Sequence, residues 1–106
     1  MLADGSVITG TNFENASYGL TLCAETVAIA TANAQGYLRD IRAIAIIGGK
    51  LGADGTLEGS DPVRPCGRCR QLLFEHGGAG LVLETPAGIL TLDQMLPQGF
   101  GPDDLT

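Results

Sequence analysis

Positive charge and aromatic surface are what this sequence has least of. Lysine and arginine together number 6 against 12 aspartates and glutamates, for a formal net charge of −6. That balance argues against a nucleic-acid polymer as substrate or partner, because phosphates call for a basic face. A neutral small molecule stays open. Aromatics make up only 5% of the chain, so the core falls to Ala, Ile, Val and Leu, which suits helices packed closely on a sheet. No apolar run approaches the roughly 18 residues of a membrane span, and no secretory leader opens the chain. Neither a membrane nor export is therefore expected. Cysteine is scarce too, at three. An odd count without a secretion signal places the protein in a reducing cytoplasm and leaves the sequon Asn15-Ala16-Ser17 without meaning.

At 106 residues with 44% hydrophobic content, the sequence predicts a single domain over 1–106. Residues 7–11 read as a short strand after an Asp4-Gly5 turn, and 12–20 as a polar loop. Thr21 is a candidate N-cap for an Ala-rich helix over 23–35, stopped by Gly36. The continuous apolar run 43–47 reads as a strand buried on both faces. Residues 48–61 hold five glycines and little periodicity, and read as a loop. Pro65 opens a helix over 66–75 that ends at Gly77-Gly78. Residues 81–84 form a strand, 86–88 a turn and 89–90 a brief edge strand. Thr91 with Gln94 makes a capping box for a last helix through Leu96, which Pro97 and Gly99 break. The expected fold is α/β, a mixed sheet flanked by helices, with no repeat or linker.

All three cysteines lie in two motifs, Cys23-Ala24-Glu25 and Pro65-Cys66-Gly67-Arg68-Cys69. Both sit where a helix begins, and a helix N-terminus stabilises thiolates through its unpaired N–H groups. Cys66 and Cys69, three apart, face one side of a helical turn; Cys23 supplies a third corner from another helix. Three ligands leave a tetrahedral zinc ion one open position, which separates a catalytic site from a closed structural one. Glu25, two residues past Cys23, is placed beside the metal without ligating it and suits a proton shuttle. A zinc-ribbon fragment or a redox Cys-x-x-Cys pair would also use Cys66 and Cys69, but neither explains Cys23-Ala24-Glu25. His76, the one histidine, falls at a helix end with nothing tying it to the cysteines.

The stretch Asn12-Phe13-Glu14-Asn15-Ala16-Ser17-Tyr18-Gly19, followed by Cys23-Ala24-Glu25 and Pro65-Cys66-Gly67-Arg68-Cys69-Arg70-Gln71, resembles the small homotetrameric, zinc-dependent cytidine deaminases. The likeness extends from Asp4 to Leu105, through a tail at Leu96-Pro97-Gln98-Gly99-Phe100-Gly101-Pro102. It implies the three-layer α/β/α cytidine-deaminase fold, one Zn2+ per chain on Cys23, Cys66 and Cys69, and hydrolytic deamination of cytidine and deoxycytidine for pyrimidine salvage. Glu25 would protonate N3 as hydroxide adds to C4, then carry a further proton while ammonia departs. Asn12 and Glu14 would hydrogen-bond the ribose hydroxyls, as their donor and acceptor groups permit. Ala24 would also contact the substrate. Tyr18 would sit at a subunit interface, and Phe100 would reach a neighbouring subunit's pyrimidine, so that active sites are shared in a homotetramer.

The sequence departs from the family pattern in two places. Many members carry Arg after Cys-Ala-Glu to offset the thiolate charge, and here that position is Thr26; Arg68, between the two cysteines, is the candidate replacement. Blasticidin-S-type deaminases are similar at this point, which makes a related nucleoside the alternative substrate, although the intact Asn12-x-Glu14 pair favours ordinary nucleosides. Family members also begin with a helix and an interior strand that supplies a Phe near the ligand, and this sequence holds neither the helix nor most of that strand. The expectations are then a longer natural chain, a partial one held together in an oligomer, or an inactive zinc-binding fragment.

Overall fold

The computed structural model describes residues 1–105. Helix α1, Ala24–Ala34, begins at Cys23 as its N-cap rather than at Thr21. Its alanines favour the helical backbone. It stops where Gly36 takes a φ of +84° and the N–H groups of Gly36 and Tyr37 reach back to the carbonyls of Asn33 and Ala32. Strand β1, Ala43–Ala45, is followed by β2, Ile47–Leu51, and β3, Leu57–Pro62. Helix α2, Gly67–Gly77, has Cys66 as N-cap, and Gly78 closes it with an N–H bond to the Phe74 carbonyl. Strands β4, Val82–Thr85, and β5, Gly88–Thr91, lead into α3, Leu92–Met95, where both halves of the Thr91–Gln94 capping box form.

The strands make a mixed sheet in the order β1-β4-β5, with β1 parallel to β4 and β4 antiparallel to β5. The parallel step from β1 to β4 requires a crossover, and α2 lies within it. The core is one cluster of Leu2, Ile29, Ala32, Ile41, Leu73, Leu81, Leu83, Leu92 and Met95. It joins α1 and α2 to the sheet and so fixes the relation between the two helix starts.

Two expectations fail here. Residues 48–61 are not a loop, because β2 and β3 pair as an antiparallel hairpin. The glycines that suggest a loop serve the hairpin instead. Gly55, at a φ of +82°, follows Asp54, whose carboxylate accepts from the N–H and hydroxyl of Thr56 to form the turn. Gly49 sits at the register shift, where an added Cβ would lie 2.3 Å from the Glu58 carbonyl oxygen. The 43–47 strand accordingly divides, with β1 ending at Ala45.

Residues 7–11 form no strand, and Val7 is 69% exposed. A strand exists only where its N–H and C=O groups find a ladder. Residues 1–3 take the near end of the β1 edge: Leu2 bridges Ile41, and the Met1 ammonium and carbonyl bond the main chain at Arg42 and Ala43. Beyond them a cavity of about 460 Å³ opens, lined by residues 7–10 on one side and by 43–47 on the other, with Glu25 and Ala28 beside it. Gly10 closes the α1 side, since an added Cβ would fall 2.6 Å from the Ala28 nitrogen and 2.7 Å from the Ala24 oxygen.

Candidate active site

Cys23 and Cys66 are the N-caps of α1 and α2, and Cys69 lies one turn into α2. Their sulfurs all lie within 4.8 Å of one another, and Cys23 Sγ and Cys66 Sγ are 3.9 Å apart. A tetrahedral zinc with bonds of about 2.3 Å has sulfur–sulfur edges of about 3.8 Å. Three thiols with one pair at that spacing and all within 4.8 Å, and with no fourth Cys, His, Asp or Glu grouped with them among the described residues, fit a three-ligand zinc site. The family-implied metal therefore agrees with the donor set.

The three thiols differ in electrostatics. Cys66 lies below the usual thiol range, chiefly through the N–H of Cys69, with burial opposing and the Arg68 N–H assisting. Cys69 is pushed far above it, first by burial and then by the Glu25 carboxylate it faces. Cys23 is pulled down by a hydrogen bond from Cys69, yet burial and the neighbouring Cys66 and Glu25 leave it raised. A divalent cation would take the place of the protons that Cys23 and Cys69 retain. Glu25, in the first turn of α1, is only 8% exposed, so a carboxylate is buried between the thiols and the 460 Å³ cavity that it and Ala24 help to line.

Asn12 and Glu14 flank Phe13, which forms an antiparallel bridge with Leu22, one residue before Cys23. Residues two apart in extended chain share a face, so that bridge points both polar side chains to one side. The loop between is closed by Asn15, whose N–H reaches the Thr21 hydroxyl and whose amide reaches the Leu20 carbonyl. Both Asn12 and Glu14 are exposed and lie outside the cavity lining, as do Tyr18, at 88% exposure, and Phe100, at 57%. The structure thus brings Cys23, Cys66, Cys69, Ala24 and Glu25 together and leaves these four on the surface. The Arg68 side chain is exposed.

Three further residues in or next to the two motifs make contacts that the spacing does not predict. The Thr26 hydroxyl lies 3.9 Å from Cys69 Sγ; the sequence marked this position only by the arginine it lacks. Arg70 donates from Nε to the Pro65 carbonyl and from Nη1 to that of Met95, both at 2.9 Å, bracing the turn before Cys66 against the end of α3. Gln71 donates to the Phe100 carbonyl at 2.8 Å. The last two depend on long-range packing and left no signal beyond membership of the motif.

A family model described as the cytidine and deoxycytidylate deaminase zinc-binding region matches residues 1–85. A cytidine deaminase of Mycobacterium tuberculosis is 43% identical over 106 residues, covering 99% of this chain and 71% of the relative. One from Halalkalibacterium halodurans is 38% identical over 110 residues, covering 99% and 76%. Among solved structures, the cytidine deaminase of Mycobacterium leprae superposes with a TM-score of 0.74 at 47% identity, covering 92% of this chain and 74% of that one.

Proposed function

The chain belongs to the cytidine deaminase family, and from that footing we propose that it hydrolyses cytidine and deoxycytidine to uridine and deoxyuridine with release of ammonia, in pyrimidine salvage. The observation that carries this reading is the convergence of three thiols, presented by two helix starts, on one buried carboxylate. Cys23, Cys66 and Cys69 would hold one zinc ion per chain, which when bound supplies the Lewis acidity that brings the pKa of water at its open position towards about 7.

Glu25 does the proton work. It takes a proton from the attacking water and delivers it to N3 as oxygen adds to C4. It then carries the proton of the new hydroxyl to the amino group, the C4–N bond breaks, and ammonia leaves. Burial of the carboxylate beside the cavity supports that role by holding it close to the reacting atoms. Ala24, on the same wall, would contact the base. Asn12 and Glu14, set on one face of the 12–14 segment and tied to Leu22, would grip the ribose hydroxyls.

Exposed Tyr18 and Phe100 support a homotetramer in which Tyr18 meets a neighbour and Phe100 packs on the pyrimidine in another subunit's site. Arg68 would offset the negative charge of the thiolate cluster, to which its main-chain N–H already contributes at Cys66. Among the described residues no helix is long and apolar enough to cross a membrane, and three free thiols support a cytoplasmic setting.

Replacing Glu25 with Gln tests the proposal. Turnover of cytidine is expected to fall by about 10²-fold or more with one zinc still bound per chain; undiminished turnover would remove Glu25 from the chemistry. A parallel assay with a blasticidin-S-type nucleoside decides between substrates.

A further inference from the structure

The tail that carries Phe100 is fastened to the metal helix from two directions. Gln71 on α2 donates from Nε2 to the Phe100 carbonyl at 2.8 Å, and the same nitrogen reaches Glu75 Oε2 at 3.3 Å, one turn along the helix. Both partners are acceptors, which fixes the amide with its nitrogen toward the tail. Phe74, three residues on and on the same helix face, lays its ring across the chain on either side of Phe100. A Cβ at Gly99 would lie 3.3 Å from Phe74 Cδ2, and one at Gly101 would lie 2.7 Å from Cε1. At Gly101 only a residue without a side chain lets the ring sit that close, while at Gly99 the tighter limit is Leu96, whose Cδ2 would lie 2.9 Å from the added atom. Gln98 takes a left-handed φ of 52°, the one non-glycine among the described residues to do so, where the tail turns back toward α2.

The Phe100 main chain is thus pinned against α2 while its side chain stays exposed. Gln71 follows Cys69 by two residues, a rotation of about 200° around the helix, so the clip lies on the flank of α2 away from the thiols. Phe100 is also absent from the lining of the cavity that Ala24 and Glu25 share. The arm points away from the site of its own chain.

We propose that Gln71 and Phe74 are positioning residues that hold Phe100 rigidly on the metal-bearing helix, so that the ring is presented, already ordered, to the substrate in a second copy of this chain. The proposal rests on the reading above that Phe100 packs on a neighbour's pyrimidine. Ordering the arm in advance removes an entropic cost from substrate binding. The effect belongs in KM rather than in the proton-transfer steps.

The test uses the full zinc-loaded chain with Gln71→Met, which keeps the bulk and removes the donor, Phe100→Ala, and the pair combined. For each, KM and kcat for cytidine, zinc per chain and thermal unfolding are measured. Gln71→Met is expected to raise KM about three- to tenfold, the worth of one hydrogen bond, with kcat and zinc content unchanged. The double variant should be no worse than Phe100→Ala alone, because the clip acts only through that ring. Gly101→Ala, which pushes the tail off Phe74 without altering α2, should reproduce the KM effect, and it carries the test if Gln71→Met folds poorly. An unchanged KM in both Gln71→Met and Gly101→Ala, with a raised KM in Phe100→Ala, overturns the clip and leaves the role of Phe100 standing. Additive losses in the double variant, or loss of zinc from folded Gln71→Met, also overturn it. An unchanged KM in Phe100→Ala removes the role of Phe100 and the proposal with it.

Discussion

Three thiolates on a divalent zinc leave the cluster one negative charge in excess, which weakens the metal as a Lewis acid unless a neighbour offsets it. On the proposed reading Thr26 and Arg68 would do so: the Thr26 hydroxyl lies 3.9 Å from Cys69 Sγ, and the Arg68 main-chain N–H lowers Cys66 while its charged side chain is exposed. Groups next to a ligand set typically change metal affinity by about 10- to 100-fold when removed. Arg68→Ala is expected to lower turnover without unfolding the chain, and Thr26→Val to loosen the metal; chelator competition on each variant separates the two. Unchanged zinc binding and turnover in Arg68→Ala would end its part in charge compensation. Glu14→Ala should raise KM for cytidine by roughly 10- to 100-fold, the worth of a hydrogen bond to a charged group, with kcat nearly unchanged. A KM that stays put would return Glu14 to the role of a surface carboxylate.

Elements position these residues through their ends and close approaches. Gly10 lies so near the first turn of α1 that a Cβ would meet the Ala24 oxygen and the Ala28 nitrogen. Gly10→Ala should therefore displace Ala24 and Glu25 and cut kcat, as steady-state kinetics would show; wild-type kcat would mean that residues 7–10 yield without moving α1. Thr91→Ala removes the α3 capping box and should cost about 1 kcal/mol in denaturant unfolding, whereas an unchanged midpoint would show the cap to be idle. The grouping of the three thiols and this cap are legible in the sequence because each is set largely by local geometry: cysteines at or within a turn of helix starts, or a Thr-x-x-Gln spacing. The hairpin is not, because five glycines with little periodicity read as a loop, whereas two of them occupy a turn and a bulge. Residues 7–11 mislead for the opposite reason. Their composition suits a strand, but pairing is a tertiary property, and in this structure a cavity faces them. The contacts of Gln71 with the tail and of Arg70 with α3 depend likewise on packing across the fold, which no spacing along the chain encodes.

At the scale of the whole molecule, the proposed function links chemistry to assembly. The thiols and Glu25 are held by one chain, while Tyr18 and Phe100 stand on its outside with Val7 and Ile89. A complete site on this account takes contributions from several copies. Light scattering is expected to give a particle of four chains, and a monomer with full activity would refute the shared site. The net charge of −6 opposes nucleic-acid binding at this surface and is compatible with the free nucleoside proposed above. The most direct measurement is the loss of ultraviolet absorbance when cytidine is added to the purified 106-residue chain, with zinc determined on the same sample. The account predicts steady turnover with about one zinc per chain. Zinc bound at that ratio with no loss of absorbance would contradict it and leave a metal-binding domain without deaminase activity.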